Sequence, residues 1–121
     1  MGLFSGNKDR GVPASSEGAD PEVREQAYRA VWNGQVIAES GETIEIEGNQ
    51  YFPPGSVKRE FLNDNEQTSV CHWKGTASYY DVVVDGEVAS GGAWYYPEPK
   101  DAVSELKDRV AFWRGVKVEA V

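Results

Sequence analysis

Two dipeptides, Asn33-Gly34 and Asp85-Gly86, constrain this chain more than any other feature. Each joins two runs of β-favouring residues, and a two-residue hairpin turn needs positive φ at both central positions, which Asn-Gly and Asp-Gly tolerate best. Tyr28–Trp32 with Gln35–Glu39, and Thr76–Val84 with Glu87–Tyr96, are therefore expected as antiparallel hairpins. Thr43-Ile44-Glu45-Ile46-Glu47 alternates, placing Ile44 and Ile46 on one face and the carboxylates on the other. Gly48-Asn49 is expected to turn the chain into Gln50-Tyr51-Phe52, and Pro53-Pro54-Gly55 ends that strand. Thr68 to Trp73 is expected as a further strand. Gly91-Gly92 predicts a bulge or a close backbone approach in the strand that Pro97 and Pro99 end. Val110–Trp113 and Val116–Val118 are expected to form a last hairpin around Arg114-Gly115.

Helix signals are short. Asp20-Pro21 predicts a helix over about 21–27, since Asp caps free amides and Pro suits the first helical position. Ser56 is expected to cap a second, with Val57, Phe61 and Leu62 on one side. Asp101 is expected to cap a third over about 102–108, turning Val103, Leu106 and the stem of Lys107 inward. The expected class is mainly β (α+β), with about eight strands and two or three short helices.

Of four Trp, six Tyr and four Phe, only Phe4 precedes Tyr28. Residues 1–20 are rich in Gly, Ser, Asn, Asp and Pro, and are expected to be a flexible tail before one domain over 21–121. The net charge of -8 disfavours nucleic acid polymers and anionic membranes as partners. One Cys rules out an internal disulfide and a multi-Cys zinc site. No run reaches the roughly 18 apolar residues of a membrane helix, no apolar leader stands at the N-terminus, and Gly6 stands where a myristoylation signal needs Ser or Thr. A cytoplasmic protein is expected, its partner protein unknown.

Chemistry concentrates in Cys71-His72-Trp73-Lys74-Gly75-Thr76-Ala77-Ser78-Tyr79-Tyr80, which holds the only Cys and the only His. A thiolate nucleophile needs a base within hydrogen-bond reach. Adjacent strand residues face opposite ways, so Cys71 and His72 do not form a dyad if both lie in a strand. Cys71 then acts as a small hydrophobe or a nucleophile, and His72 as a hydrogen-bonded surface group. Trp73 is expected in phase with Ala77 and Tyr79, and Lys74 with Thr76, Ser78 and Tyr80, unless Lys74-Gly75 kinks the strand. Counted back from Asp85-Gly86, Trp94 falls opposite Ala77 and Tyr96 near Gly75. A large indole over a small residue leaves room for a slot; the alternative is that Trp94 fills the core. Asp81 and Asp85, on one strand face, stand about 13 Å apart by strand rise, too far to share one metal. The sequence contains no phosphate-loop, GxGxxG, HExxH or GxSxG pattern.

Four ordered motifs carry a resemblance: Tyr51-Phe52-Pro53, the Cys71–Tyr80 stretch, Ala93-Trp94-Tyr95-Tyr96-Pro97-Glu98-Pro99 and Ala111-Phe112-Trp113. Together, over about residues 28–120, they resemble the bacterial family called domain of unknown function 427, or nucleotidyltransferase-like family 9. One departure is His72, where that pattern usually has Pro. The resemblance implies a β-tent fold, two antiparallel sheets meeting at a steep angle, related to the thalidomide-binding domain of cereblon. Those relatives carry a four-Cys zinc site that one Cys cannot build, so neither metal nor cofactor is expected. They hold small cyclic ligands in an aromatic cage at the sheet junction. The resemblance implies a similar pocket here, walled by Trp73, Trp94 and Tyr96.

The leading expectation is a small-ligand-binding domain with Trp73, Lys74, Tyr79, Trp94 and Tyr96 as binding residues. An enzyme acting on nucleotides is the alternative, with Cys71, Lys74 and Asp81 as catalytic candidates. Nucleotidyl transfer relies on carboxylate-held metal ions, and no Asp-x-Asp pair is present. A third reading is a protein-interaction module using exposed aromatics or strand edges.

Overall fold

The computed structural model describes residues 26–121. The expected tail, and the expected helix up to Glu25, lie outside them; Gln26 and Ala27 lead straight into the first strand. Nine strands follow: β1 Tyr28–Trp32, β2 Gln35–Ser40, β3 Ile44–Ile46, β4 Asn49–Tyr51, β5 Leu62–Cys71, β6 Gly75–Val84, β7 Glu87–Tyr95, β8 Val110–Phe112 and β9 Lys117–Ala120. They form three antiparallel sheets, ordered β9-β1-β2, β3-β4 and β5-β6-β7-β8. The mainly-β class expected from alternation and turn chemistry is what forms.

Asn33-Gly34 and Asp85-Gly86 turn as expected, with φ of 50° and 77° in the first and 50° and 80° in the second. The turn expected at Gly48-Asn49 falls one residue earlier, at Glu47 (φ 55°) and Gly48 (φ 81°). A left-handed pair tolerates a side chain at its first position best when glycine takes the second, and only this placement supplies it. The shift lifts Glu47 onto the hairpin tip.

The β3-β4 hairpin continues the large sheet. Phe52 N donates to Val110 O at 2.8 Å, and Val110 N returns the bond to Phe52 O at 3.0 Å. Because alternate residues face opposite ways, the extended sheet buries two cores. Phe52, Val82, Ala93, Val110 and Phe112 meet Ala30, Ile37 and Ala38 of the β9-β1-β2 sheet on one side. Tyr51, Tyr79, Trp94, Tyr96, Val103 and Leu106 pack on the other.

Several expectations are corrected. The helix after Ser56 is replaced by two 3-10 turns, Pro54–Ser56 and Arg59–Phe61. Between them Val57 is extended and bridges Ala38, while Lys58 N donates to Ile37 O at 2.8 Å. So short a segment cannot offset helix nucleation, whereas burying Val57 on β2 stabilises the extended form. Leu62 opens β5 instead of ending a helix. The helix after Asp101 is also 3-10, over Asp101–Leu106, and is interrupted at Val103. Lys100 holds the cap position and Asp101 makes no capping bond, although Val103 and Leu106 are buried as expected. Lys107 is exposed and donates to Pro97 O at 2.9 Å.

Arg114-Gly115 turns with φ of 56° and 98°, but its flanks part: β8 pairs with β7, and β9 pairs with β1. Val116 buries in the core shared by the two sheets, which draws the chain across. The outer strand β5 has its own irregularity between Asn65 and Thr68.

The β6-β7 pairing is also corrected. Near the turn Val84 opposes Glu87 and Val82 opposes Ala89, as counted. Beyond the irregularity at Asp81 the register slips by two, so Tyr80 opposes Ala93 and Trp94 opposes Tyr79, not Ala77. The glycine pair supplies the extra residues. Gly91 N donates to Asp81 Oδ1 at 2.8 Å, and Asn65 Nδ2 donates to the same oxygen at 2.7 Å. One carboxylate thus ties three strands at the bulge.

Candidate functional site

The strand expected through Trp73 stops at Cys71, which pairs with Gly75; His72, Trp73 and Lys74 form the hairpin turn. Gly75 takes φ 121°, and a Cβ there would lie 3.2 Å from Glu98 O. The loop after β7 therefore closes tightly on this turn. Lys100 N donates to Lys74 O at 3.0 Å, and Lys100 Nζ to His72 O at 2.5 Å. Both phases expected around Lys74 change in consequence. Trp73 stands out at 44% exposure, while Lys74 is 5% exposed and packs with the Tyr51 and Tyr96 side of the sheet. A left-handed residue inverts the alternation that strand counting assumes.

Lys74 Nζ hydrogen-bonds the Glu47 carboxylate and lies 4.9 Å from the centre of the Trp73 ring. The tips of β3-β4 and β5-β6 are thereby joined by an ion pair. The aromatic residues run on from this corner. Tyr51 meets Trp94 edge-on at 6.1 Å and Tyr96 at 6.4 Å, and Trp94 Nε1 donates to Tyr51 Oη at 3.3 Å. Trp113 lies across Tyr79 at 6.4 Å and Trp94 at 5.1 Å. Its indole N–H donates to Gly91 O at 2.7 Å, so the bulge that sets the register also seats Trp113. Tyr79 Oη and Ser69 Oγ share a hydrogen bond of 2.8 Å.

Of the expected binding residues, Lys74, Trp94 and Tyr96 stand beside Tyr51, Trp73 lies against Lys74, and Tyr79 pairs with Trp94. Tyr79, Trp94 and Tyr96 are each buried, so Trp94 is a core member of the aromatic cluster. Among the catalytic candidates, Cys71 lies at the same corner as Lys74, whereas Asp81 is held at the bulge. His72 is exposed. Glu47, Tyr51, Ser69 and Trp113 were not singled out by sequence reasoning. The signals for two of them stood in plain view, since Tyr51 and Trp113 belong to two of the four ordered motifs.

Charge at the corner is well defined. Burial works to lower the Lys74 pKa, but the Glu47 hydrogen bond and the nearby Tyr51 and Cys71 outweigh it and raise it. The Lys74 hydrogen bond holds the Glu47 carboxyl below its usual range. Burial pushes up the phenols of Tyr51 and Tyr96, and for Tyr96 the neighbouring Tyr51, Cys71 and Tyr79 add to the rise. Burial also acts to raise the Cys71 thiol, but the Trp73 and Lys74 amides and the Lys74 ammonium bring it down overall. At neutral pH the corner presents a protonated amine and neutral phenols beside aromatic rings, with the Cys71 sulfur drawn towards its thiolate form. A protonated amine donates hydrogen bonds and does not attack carbonyl carbon. Among the described residues no group of three or more His, Cys, Asp or Glu is placed to hold a metal ion, and no helix is long and apolar enough to cross a membrane.

These features define an antiparallel β domain with a buried aromatic cluster ending in one paired lysine. The sequence profile of the family described as domain of unknown function (DUF427) matches residues 21–121, and the chain belongs to that family. No curated protein matches it.

Proposed function

We propose that this domain binds a small ring-shaped molecule at the corner where Trp73, Lys74, Tyr79, Trp94 and Tyr96 converge. The observation that carries the reading is the company Lys74 keeps. The Lys74 ammonium stands beside Glu47, Tyr51 and Cys71, and Tyr51 in turn packs on the rings of Trp94 and Tyr96. Few convergent polar groups on an apolar, aromatic lining is the usual make-up of a small-molecule site. Trp73, half-exposed beside them, offers a ring face at the rim. The resemblance of the four motifs to the DUF427 family implies a β-tent fold, and proteins of that fold that hold cyclic ligands between aromatic side chains lend the reading support.

Tryptophan fluorescence tests this reading. Titration with a panel of nucleosides, sugars and small heterocycles is expected to give a saturable change for at least one member. Lys74→Met is expected to weaken that response, with far-UV circular dichroism confirming the fold. A flat response from the native protein across the panel would overturn the reading.

A further inference from the structure

One edge of the large sheet is open. On its far side the sheet runs from β8 through Phe52 into the β3-β4 hairpin and ends in the three-residue β3. In the other large grouping β2 is met by Val57 and Lys58, and β9 has four residues, Lys117 among them. β5 has ten residues, and β6 is its single strand neighbour.

The half of β5 that follows its irregularity is regular. Thr68, Ser69, Val70 and Cys71 pair in step with Ser78, Ala77, Thr76 and Gly75. Among the described residues, no backbone hydrogen bond joins these four to any element but β6. Their outward N–H and C=O groups are therefore free to pair. Open edges are commonly blocked by lysine or proline, and Leu62–Cys71 contains no lysine, arginine or proline. Val70 is 75% exposed, and the half-exposed Trp73 follows in the turn. Free backbone beside exposed apolar side chains is what strand addition by a peptide uses.

The charge of the partner follows from the carboxylates alongside. Asp64 and Glu66 are exposed on the same strand, and among the described residues neither is in an ion pair. Another copy of the chain brings -8 of its own. Residues 1–25 hold three basic against five acidic side chains, so they match the edge no better. An extended segment with lysine or arginine past its pairing residues meets both carboxylates, and its charge draws it in from a distance.

We propose that Thr68–Cys71 is a docking edge for an extended, basic peptide of a partner protein, which joins the large sheet as a further antiparallel strand. Backbone hydrogen bonds to β5 hold it, an apolar residue packs beside Val70, and basic residues past the irregularity pair with Asp64 and Glu66. This holds whether or not the aromatic corner takes a ligand.

The probe is acetyl-Thr-Val-Thr-Val-Lys-Gly-Lys-amide, followed by calorimetry and by amide hydrogen exchange. It is expected to bind, to weaken as salt rises, and to slow exchange at alternate amides of Thr68–Cys71. The form with glutamate for both lysines is expected to bind roughly tenfold or more weaker. Of two N-methylated forms, one at both valines and one at both threonines, one is expected to lose binding, because alternate amides face the same side. Val70→Lys, a change at an exposed position, is expected to weaken the native probe roughly tenfold by placing a cation on the edge. Asp64→Asn with Glu66→Gln is expected to weaken it about three- to tenfold and to flatten the salt dependence. No binding by the native protein, equal binding of the glutamate form, full binding of both N-methylated forms, or unchanged binding by either variant overturns the proposal. Self-association of the native protein that Val70→Lys removes overturns it in favour of a like copy as the occupant.

Discussion

At the residue scale the pair of Lys74 and Glu47 is the most informative contact in the molecule. It ties two hairpin tips that are 27 positions apart in the chain. Because the folded Glu47 carboxyl titrates below its usual value, its contribution is complete above the unfolded carboxylate range, about 4.3. That contribution is lost as pH falls through the lower folded value. Lys74 titrates above its usual value, so its contribution is complete below about 10.4 and is lost as pH rises through the higher folded value. The thermal midpoint is thus expected to drop towards both extremes. Glu47→Gln should flatten the acid limb, as read by circular dichroism melts across pH; an acid limb of unchanged steepness would show that the pair adds nothing. That Lys74 would stand among aromatic residues was legible from its sequence neighbours. Its partner was not, because alternation puts Glu47 on a solvent-facing strand edge, and only the one-residue shift of the turn brings it to the tip. The same limit hid the burial of Lys74, since strand counting cannot follow a chain through Gly75 at φ 121°.

At the scale of elements, the Gly91-Gly92 bulge decides what faces what. A Cβ on Gly92 would sit 2.9 Å from Ala89 Cβ and 3.0 Å from Ala89 O, with Val116 Cγ2 at 3.3 Å. Backbone has little room to yield there, so Gly92→Ala is expected to destabilise by about 1–3 kcal/mol. The near-ultraviolet dichroism of the Trp94–Trp113 pair should weaken with it, because Trp113 N and Nε1 are anchored on Gly92 O and Gly91 O. Urea unfolding measures the first effect, and an unaltered midpoint would refute it. The two glycines announced a bulge in the sequence. The two-residue slip that it causes was not readable, because pairing counted from Asp85-Gly86 runs on without a break. Nor was the use of Asp81 to hold Gly91 and Asn65, a contact between strands that local pattern does not encode. The short helices failed for a related reason: Val57 and Val103 gain more from burial against sheets than from helical propensity.

At the scale of the whole molecule, two cores share one sheet. Phe52 and Phe112 pack on one face while Tyr51 and Ala111, their chain neighbours, pack on the other. Disturbing either side displaces the strands that serve both, so unfolding is expected as one transition. Tryptophan fluorescence draws on Trp32 against the first core and Trp94 within the second. Its urea curve should superimpose on that from far-UV circular dichroism; two separated midpoints would contradict this. The mainly-β class was legible from turn chemistry and alternation. The departure of β9 to β1 was not, since Arg114-Gly115 carries the same signature whether its flanks pair or part. The outermost strand carries one last consequence. β5 leaves a ten-residue row of backbone groups at the rim of the large sheet, the kind of border on which a second molecule can stack and seed fibrils. Its irregularity between Asn65 and Thr68, where Gln67 N turns back to Asn65 Oδ1 at 2.8 Å, cuts that row in two. Exposed Asp64 and Glu66 add like charge at the cut. A second copy approaching sideways meets a broken template and its own negative charge, both of which disfavour edge-to-edge stacking.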